Sequence, residues 1–175
     1  LNLYPVNPND GSPAGIGPQY ERISAITGDY SFQCQRRQLL DKITAPKWNY
    51  LTQQEVPLSV LGGTPIGSIL GETGLTNIPV LGSFHASDVI LNWFGTLPAA
   101  VSRNSMHLMS VLVAFTRNLD PNTAGLDDVP EWPQYDSASR QTMNWKEEGD
   151  AAIITDNYRQ EQMQWLNDNG DSLRI

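Results

Sequence analysis

Strand-forming sequence is scarce in this chain of 175 residues, and the scarcity limits what it can fold into. Lys47-Trp48-Asn49-Tyr50-Leu51-Thr52 joins aromatic and β-favouring residues and reads as a strand. Ile78-Pro79-Val80-Leu81 is a short strand-like apolar run, and Gln141 to Ile154 alternates weakly, enough for one or two strands. Helical patterns fill much of the rest. Pro18 suits a first helical turn, Tyr20, Ile23 and Ile26 follow near helical spacing, and Gly28 is expected to stop that helix. A second helix is expected over Ser31 to Ile43, with Phe32, Leu39, Leu40 and Ile43 inward and Arg36 and Arg37 on its exposed or partner-facing side. Others are expected from the N-cap residue Ser87 through Phe94, over Ala99 to Arg117, and over Arg159 to Asn167. The fold class is α/β in outline. Strands this few cannot close a sheet of their own.

Charge and composition remove several function classes. Lys and Arg number 11 against 19 Asp and Glu, a formal charge of -8, which repels phosphate and leaves no basic face for nucleic acid or an anionic membrane. No apolar run approaches the roughly 18 residues of a transmembrane segment; the longest, Met106 to Phe115, is interrupted by Ser110. The single cysteine, Cys34, excludes an internal disulfide framework and a cysteine-based zinc site, and two histidines leave little for a metal centre. P-loop and dinucleotide fingerprints are absent, so no cofactor is implied. The chain starts Leu1-Asn2-Leu3-Tyr4-Pro5, with neither an initiator Met nor a charged leader, and is expected to begin after a removed leader or in mid-protein.

His85 is the candidate catalytic residue. It follows Gly82 in a loop between the strand-like run ending at Leu81 and the helix capped at Ser87, where α/β enzymes place reactive groups. A neutral imidazole there can serve as a general base; a structural histidine capping a loop is the alternative. His107, beside Met106, Leu108 and Met109, reads as a packed or surface residue, and Cys34 as an inert buried thiol or a bridge to a second polypeptide. A nucleophile is missing. No G-x-S-x-G run occurs, and Gly62-Gly63 is too short and badly placed to supply an oxyanion hole. Glu147-Glu148 and Asp127-Asp128 look like solvated surface charge.

Several segments, taken in order, resemble the C-terminal third of the type-B carboxylesterase/lipase family, above all its secreted fungal lipases, with cholinesterases as more distant members. Gly82-Ser83-Phe84-His85-Ala86-Ser87-Asp88 is similar to the family's G-x-x-H-x-x-[DE] motif, whose His is the triad base. Phe115 to Asn122 carries F-x-x-x-L-D-P-N, and Trp132-Pro133-Gln134-Tyr135 carries W-P-x-Y. Pro18-Gln19-Tyr20-Glu21-Arg22-Ile23-Ser24-Ala25-Ile26-Thr27-Gly28-Asp29 also resembles the fungal lipases.

The resemblance implies that residues 1–175 form the C-terminal part of a single α/β-hydrolase domain, an incomplete sheet with flanking helices. It implies a carboxylic ester hydrolase with a Ser-Glu/Asp-His triad, in which only the His maps here, onto His85. Glu55 and Glu72 lie too close to His85 to be the acid. Serine, acid and oxyanion hole then belong to an N-terminal part of the same enzyme, the expected partner, on which this chain docks through a hydrophobic interface; alone the chain is inactive. The substrate is a lipid or small-molecule ester, Phe84 and Ala86 flank the base, and the Gly-rich stretch Val56 to Gly74 borders the entrance. Secretion is the implied localisation. Cholinesterase-like members pair a cysteine in a similar position, but no second Cys is available here, so Cys34 is free or paired elsewhere. The competing reading is a non-catalytic binding or adhesion relative that kept the fold and lost the serine.

Overall fold

The computed structural model describes residues 2–6, 19–54, 83–89, 103–146 and 150–173. They fall into two compact units. The first comprises residues 1–47, 135–140 and 156–175, and the second residues 48–134 and 141–155. The expected strand at 78–81, the loop at 56–74, the continuation of the helix to 94, and both Glu55 and Glu72 lie outside the described residues.

In the first unit, α1 (Tyr20–Gly28) does not stop at its glycine. Gly28 has φ -64° and ψ -43°, and the chain runs on through a π-helical turn, Asp29–Gln33, into α2 (Cys34–Lys42). Tertiary contacts override the local stop signal here. Asp29 is fully buried, accepts a hydrogen bond from Tyr4 Oη at 2.9 Å, and receives the Arg159 guanidinium at 2.6 and 2.7 Å. That bidentate pair holds the helix geometry at the residue after the glycine. Leu40 is buried as expected, whereas Phe32 and Leu39 are exposed.

Arg37 departs from its expected exposed side. It is 4% exposed. Its Nη2 and Nε reach Asp156 Oδ1 at 2.5 and 3.1 Å, Nη2 also donates to the Tyr158 carbonyl at 3.0 Å, and the guanidinium lies 4.7 Å over the Tyr158 ring. Arg36 Nη1 reaches the other Asp156 oxygen at 2.7 Å. Burial would raise the Asp156 pKa, but the bonds from Arg37 and Arg36 outweigh it and hold the carboxyl below its ordinary value. The C-terminal helices α4 (Gln160–Asp168) and α5 (Gly170–Leu173) complete the unit. Met163 and Leu166 of α4 are buried and Trp165 is half exposed. The Cys34 thiol is buried too and bonds Asn167 Oδ1; burial, then the Asp29 charge, push its pKa up, against the smaller opposite effect of Arg37.

The second unit holds the sheet. Strand β1 (Tyr50–Thr52) pairs in parallel with β2 (Gln141–Trp145), which pairs antiparallel with β3 (Ala151–Thr155). Tyr50 faces Met143 and Thr52 faces Trp145 across the first pair, and Met143 faces Ile153 across the second. The stretch that alternates weakly in sequence is therefore a hairpin. Helix α3 (Arg103–Asn118) supplies Leu108 and Val111 to a core with Trp132, Met143 and Trp145. Its outward flank is also apolar, with Met106, Met109 and Val113 each at least two-fifths exposed.

A short 3-10 turn, Pro121–Ala124, follows α3 and gives the L-D-P-N run its physical meaning. Asp120 caps it by accepting the Asn122 N–H at 2.9 Å, and Pro121 occupies the first position, where an N–H would find no partner. Gly125 closes it at φ +66°, a conformation open to glycine without cost.

Candidate active site

Residues 83–89 carry the histidine that the sequence singles out. The Ser87 N–H donates to the Phe84 carbonyl at 2.9 Å, which closes a turn with His85 and Ala86 at its centre. Ala86 has φ +65° and His85 does not share the positive angle, the pattern of a type II turn. Left-handed backbone costs a residue with a Cβ about 1–2 kcal/mol, so surrounding contacts must hold the turn in place. His85 is exposed at its tip, while Ser87 behind it is fully buried.

Those contacts come from β1 on two sides. Ser83 Oγ donates to the Thr52 carbonyl at 2.9 Å and lies 3.2 Å from Ser87 Oγ. From the other side, Tyr50 Oη donates to Asp88 Oδ2 at 2.8 Å. Thr52 is the last residue of β1, so the turn sits at the carboxyl end of a parallel strand, where open α/β sheets bind their ligands. Burial, followed by the bond and charge of Asp88, pushes the Tyr50 hydroxyl pKa up. Tyr50 therefore remains a proton donor to Asp88 through neutral pH.

Tyr50 is in turn fixed by the W-P-x-Y segment. Its ring meets Trp132 edge-on, with centroids 6.2 Å apart at 88°. Trp132 Nε1 donates to the Asn49 carbonyl at 3.0 Å. The backbone of Trp132 is clamped by one side chain: its N–H donates to Asn122 Oδ1 at 2.7 Å, and its carbonyl accepts from Asn122 Nδ2 at 3.0 Å. Trp48 Nε1 donates to the same carbonyl at 3.1 Å. Three segments far apart in sequence thus form one support, running from Asn122 through Trp132 and Tyr50 to Asp88, one turn from His85. Sequence spacing identified His85 but not Tyr50, Ser83, Trp132 or Asn122 as its supports. The available signal was that Asn122, Trp132, Ser83 and Asp88 all sit inside recognisable motifs.

His107 takes no part. Its Nε2 lies 3.3 Å from Asp128 Oδ1 and its ring is tilted against Trp145, which makes it a packed helix residue. No helix among the described residues is long and apolar enough to cross a membrane.

Helices around a small mixed three-stranded sheet, as the described residues form, are consistent with part of an α/β-hydrolase fold. Comparison with known proteins makes the class narrower. Lipase 5 of Diutina rugosa is 31% identical over 165 residues, covering 89% of this chain and 25% of that protein. Secreted lipase 1 of Botryotinia fuckeliana is 30% identical over 171 residues, 91% of this chain and 25% of its own length. A secreted triacylglycerol lipase of Gibberella zeae is 28% identical over 186 residues, 100% of this chain and 27% of its own. No family model matches the chain. Over about nine-tenths of its length or more the chain is related to fungal lipases. It spans about a quarter of the length of the curated relatives it matches.

Proposed function

We propose that His85 is the general base of a serine ester hydrolase whose nucleophile, carboxylate and oxyanion hole lie in upstream sequence, with residues 1–175 as the C-terminal part of its single α/β-hydrolase domain. The observation that supports the reading is the exposure of His85 on a turn tied to β1 at two points, the Tyr50 hydroxyl and the Thr52 carbonyl. An imidazole exposed on such a turn is of the right kind to serve an incoming hydroxyl as general base. Nε2 takes the proton from serine Oγ as that oxygen attacks the ester carbonyl, and the upstream carboxylate orients the ring through Nδ1. The imidazolium then protonates the departing alcohol. In the second half-reaction the neutral ring draws a proton from water, which hydrolyses the acyl-enzyme.

The outward flank of α3 supports docking on that upstream part. A helix apolar on both flanks suits a place between two layers, and Met106, Met109 and Val113 form its exposed apolar flank among the described residues. Lipid esters are the substrate class, and secretion the destination, that relatives named as secreted lipases support. The test is His85→Ala in the full-length protein with an activated ester. Turnover should fall by at least about 10³-fold with the protein still folded, as expected when one member of a unit that acts together is removed. Activity near that of the parent would remove the assignment, and a parent that hydrolyses no ester would favour a non-catalytic binding protein.

A further inference from the structure

We infer that Tyr50 is a positioning residue for His85, acting through Asp88. The inference rests on His85 being the base, and it concerns a group that does not itself reach the reacting atoms. The turn bears a residue with a Cβ at φ +65°, a backbone angle that needs support from outside the turn. Two side-chain bonds join it to β1. The Ser83 bond is neutral, 2.9 Å to a backbone carbonyl, and secures the entry side. The Tyr50–Asp88 bond, 2.8 Å to a carboxylate, secures the exit side and is the charge-assisted, stronger kind. Tyr50 can serve as a fixed reference because it is held at both ends: its backbone is paired in register with Met143 of β2, and its ring rests edge-on against Trp132. Trp132 is anchored to Asn49, the residue before Tyr50, and to Asn122. The position of Asp88, and with it the orientation of His85, is therefore set by the sheet.

Removing the Tyr50 hydroxyl leaves the ring packing intact and releases only the exit side of the turn. A small displacement of a base costs rate without costing substrate affinity, since a misplaced group of this kind can lose up to about 10²-fold. In the full-length enzyme, Tyr50→Phe should lower kcat by about 10-fold or more and leave KM within about twofold. Asp88→Ala should do the same. Asp88→Asn, which keeps an oxygen to accept from Tyr50 Oη, should restore most of the rate. The Tyr50→Phe/Asp88→Ala double variant should be no slower than either single variant, because both cut one link. Parental kcat in Tyr50→Phe, a KM effect alone, or additive losses in the double variant would each overturn the inference. Should Tyr50→Phe fail to fold, the comparison of Asp88→Asn with Asp88→Ala decides in the same way: rescue by Asn supports the link and equal damage refutes it. His85→Ala separates the two levels. If it is dead while Tyr50→Phe is fully active, only the positioning role fails; if it is active, the base assignment fails.

Discussion

Asp156→Ala is the substitution with the largest expected structural consequence in the first unit. The carboxylate is 1% exposed and its two oxygens receive Arg37 and Arg36. Truncating it leaves the Arg37 guanidinium, 4% exposed, with only the Tyr158 carbonyl and ring for company. An unmatched buried charge of this kind costs about 3–5 kcal/mol. Arg36→Ala should cost less, about 1–3 kcal/mol, because it leaves one buried Asp156 oxygen without its partner while Arg37 still balances the charge. Native-state hydrogen exchange on α2 in the full-length protein reads the difference locally. Asp156→Ala should raise the opening constant there by roughly 10²- to 10⁴-fold, and Arg36→Ala by less, roughly 5- to 150-fold. Equal effects, or a change under tenfold in Asp156→Ala, would refute the reasoning. The pH dependence carries a sign. Because the folded carboxyl is held below its ordinary value, its stabilisation is fully present above the unfolded pKa of about 3.9 and is lost only as pH falls through the lower folded value. Protection of α2 should therefore be unaffected by Asp156 from neutrality down to about pH 5 and fail in stronger acid.

Two further outcomes follow from named contacts. Asn122→Ala deprives the buried Trp132 of the acceptor for its N–H and of one donor to its carbonyl; a cost of about 1–3 kcal/mol in thermal or urea unfolding is expected, with Asn122→Asp, which keeps the acceptor, less damaging. Cys34 should react with a thiol reagent only as the protein unfolds, since it is 1% exposed and its pKa is pushed up, chiefly by burial; stoichiometric labelling under native conditions would contradict its placement.

The parts of this structure legible in sequence were those with local causes. The helix over 103–118, expected over 99–117, and the C-terminal helix from 160 have their periodicity written in consecutive residues, whereas the weak alternation over 141–154 pointed to one or two strands without fixing their pairing as a hairpin. Gly28 shows where that stops. Its stop signal is local, but Asp29 beside it is held by Tyr4 and by Arg159, partners that no window around residue 28 contains. Arg37 was expected on an exposed or partner-facing side and not against a carboxylate of its own unit, because that carboxylate lies 119 residues away. The site divides along the same line. His85 is singled out in sequence by a compact motif and by its expected place between a strand-like run and a helix cap, and its role is the proposal made above. Its supports were not legible, since the Tyr50–Asp88 bond spans 38 residues and the Trp48–Trp132 bond spans 84. The D-P-N and W-P-x-Y runs were visible as matches, and their physical role became clear only with the Asn122 clamp on Trp132.

The central claim is that His85 meets a serine supplied by upstream sequence. An experimental structure of the full-length protein trapped with a phosphonate ester tests it most directly. The account predicts phosphorus bonded to a serine Oγ that lies within about 2.6–3.2 Å of His85 Nε2, with β1 and Tyr50 still holding Asp88. A modified serine paired with another base, with His85 turned away from it, would contradict the account.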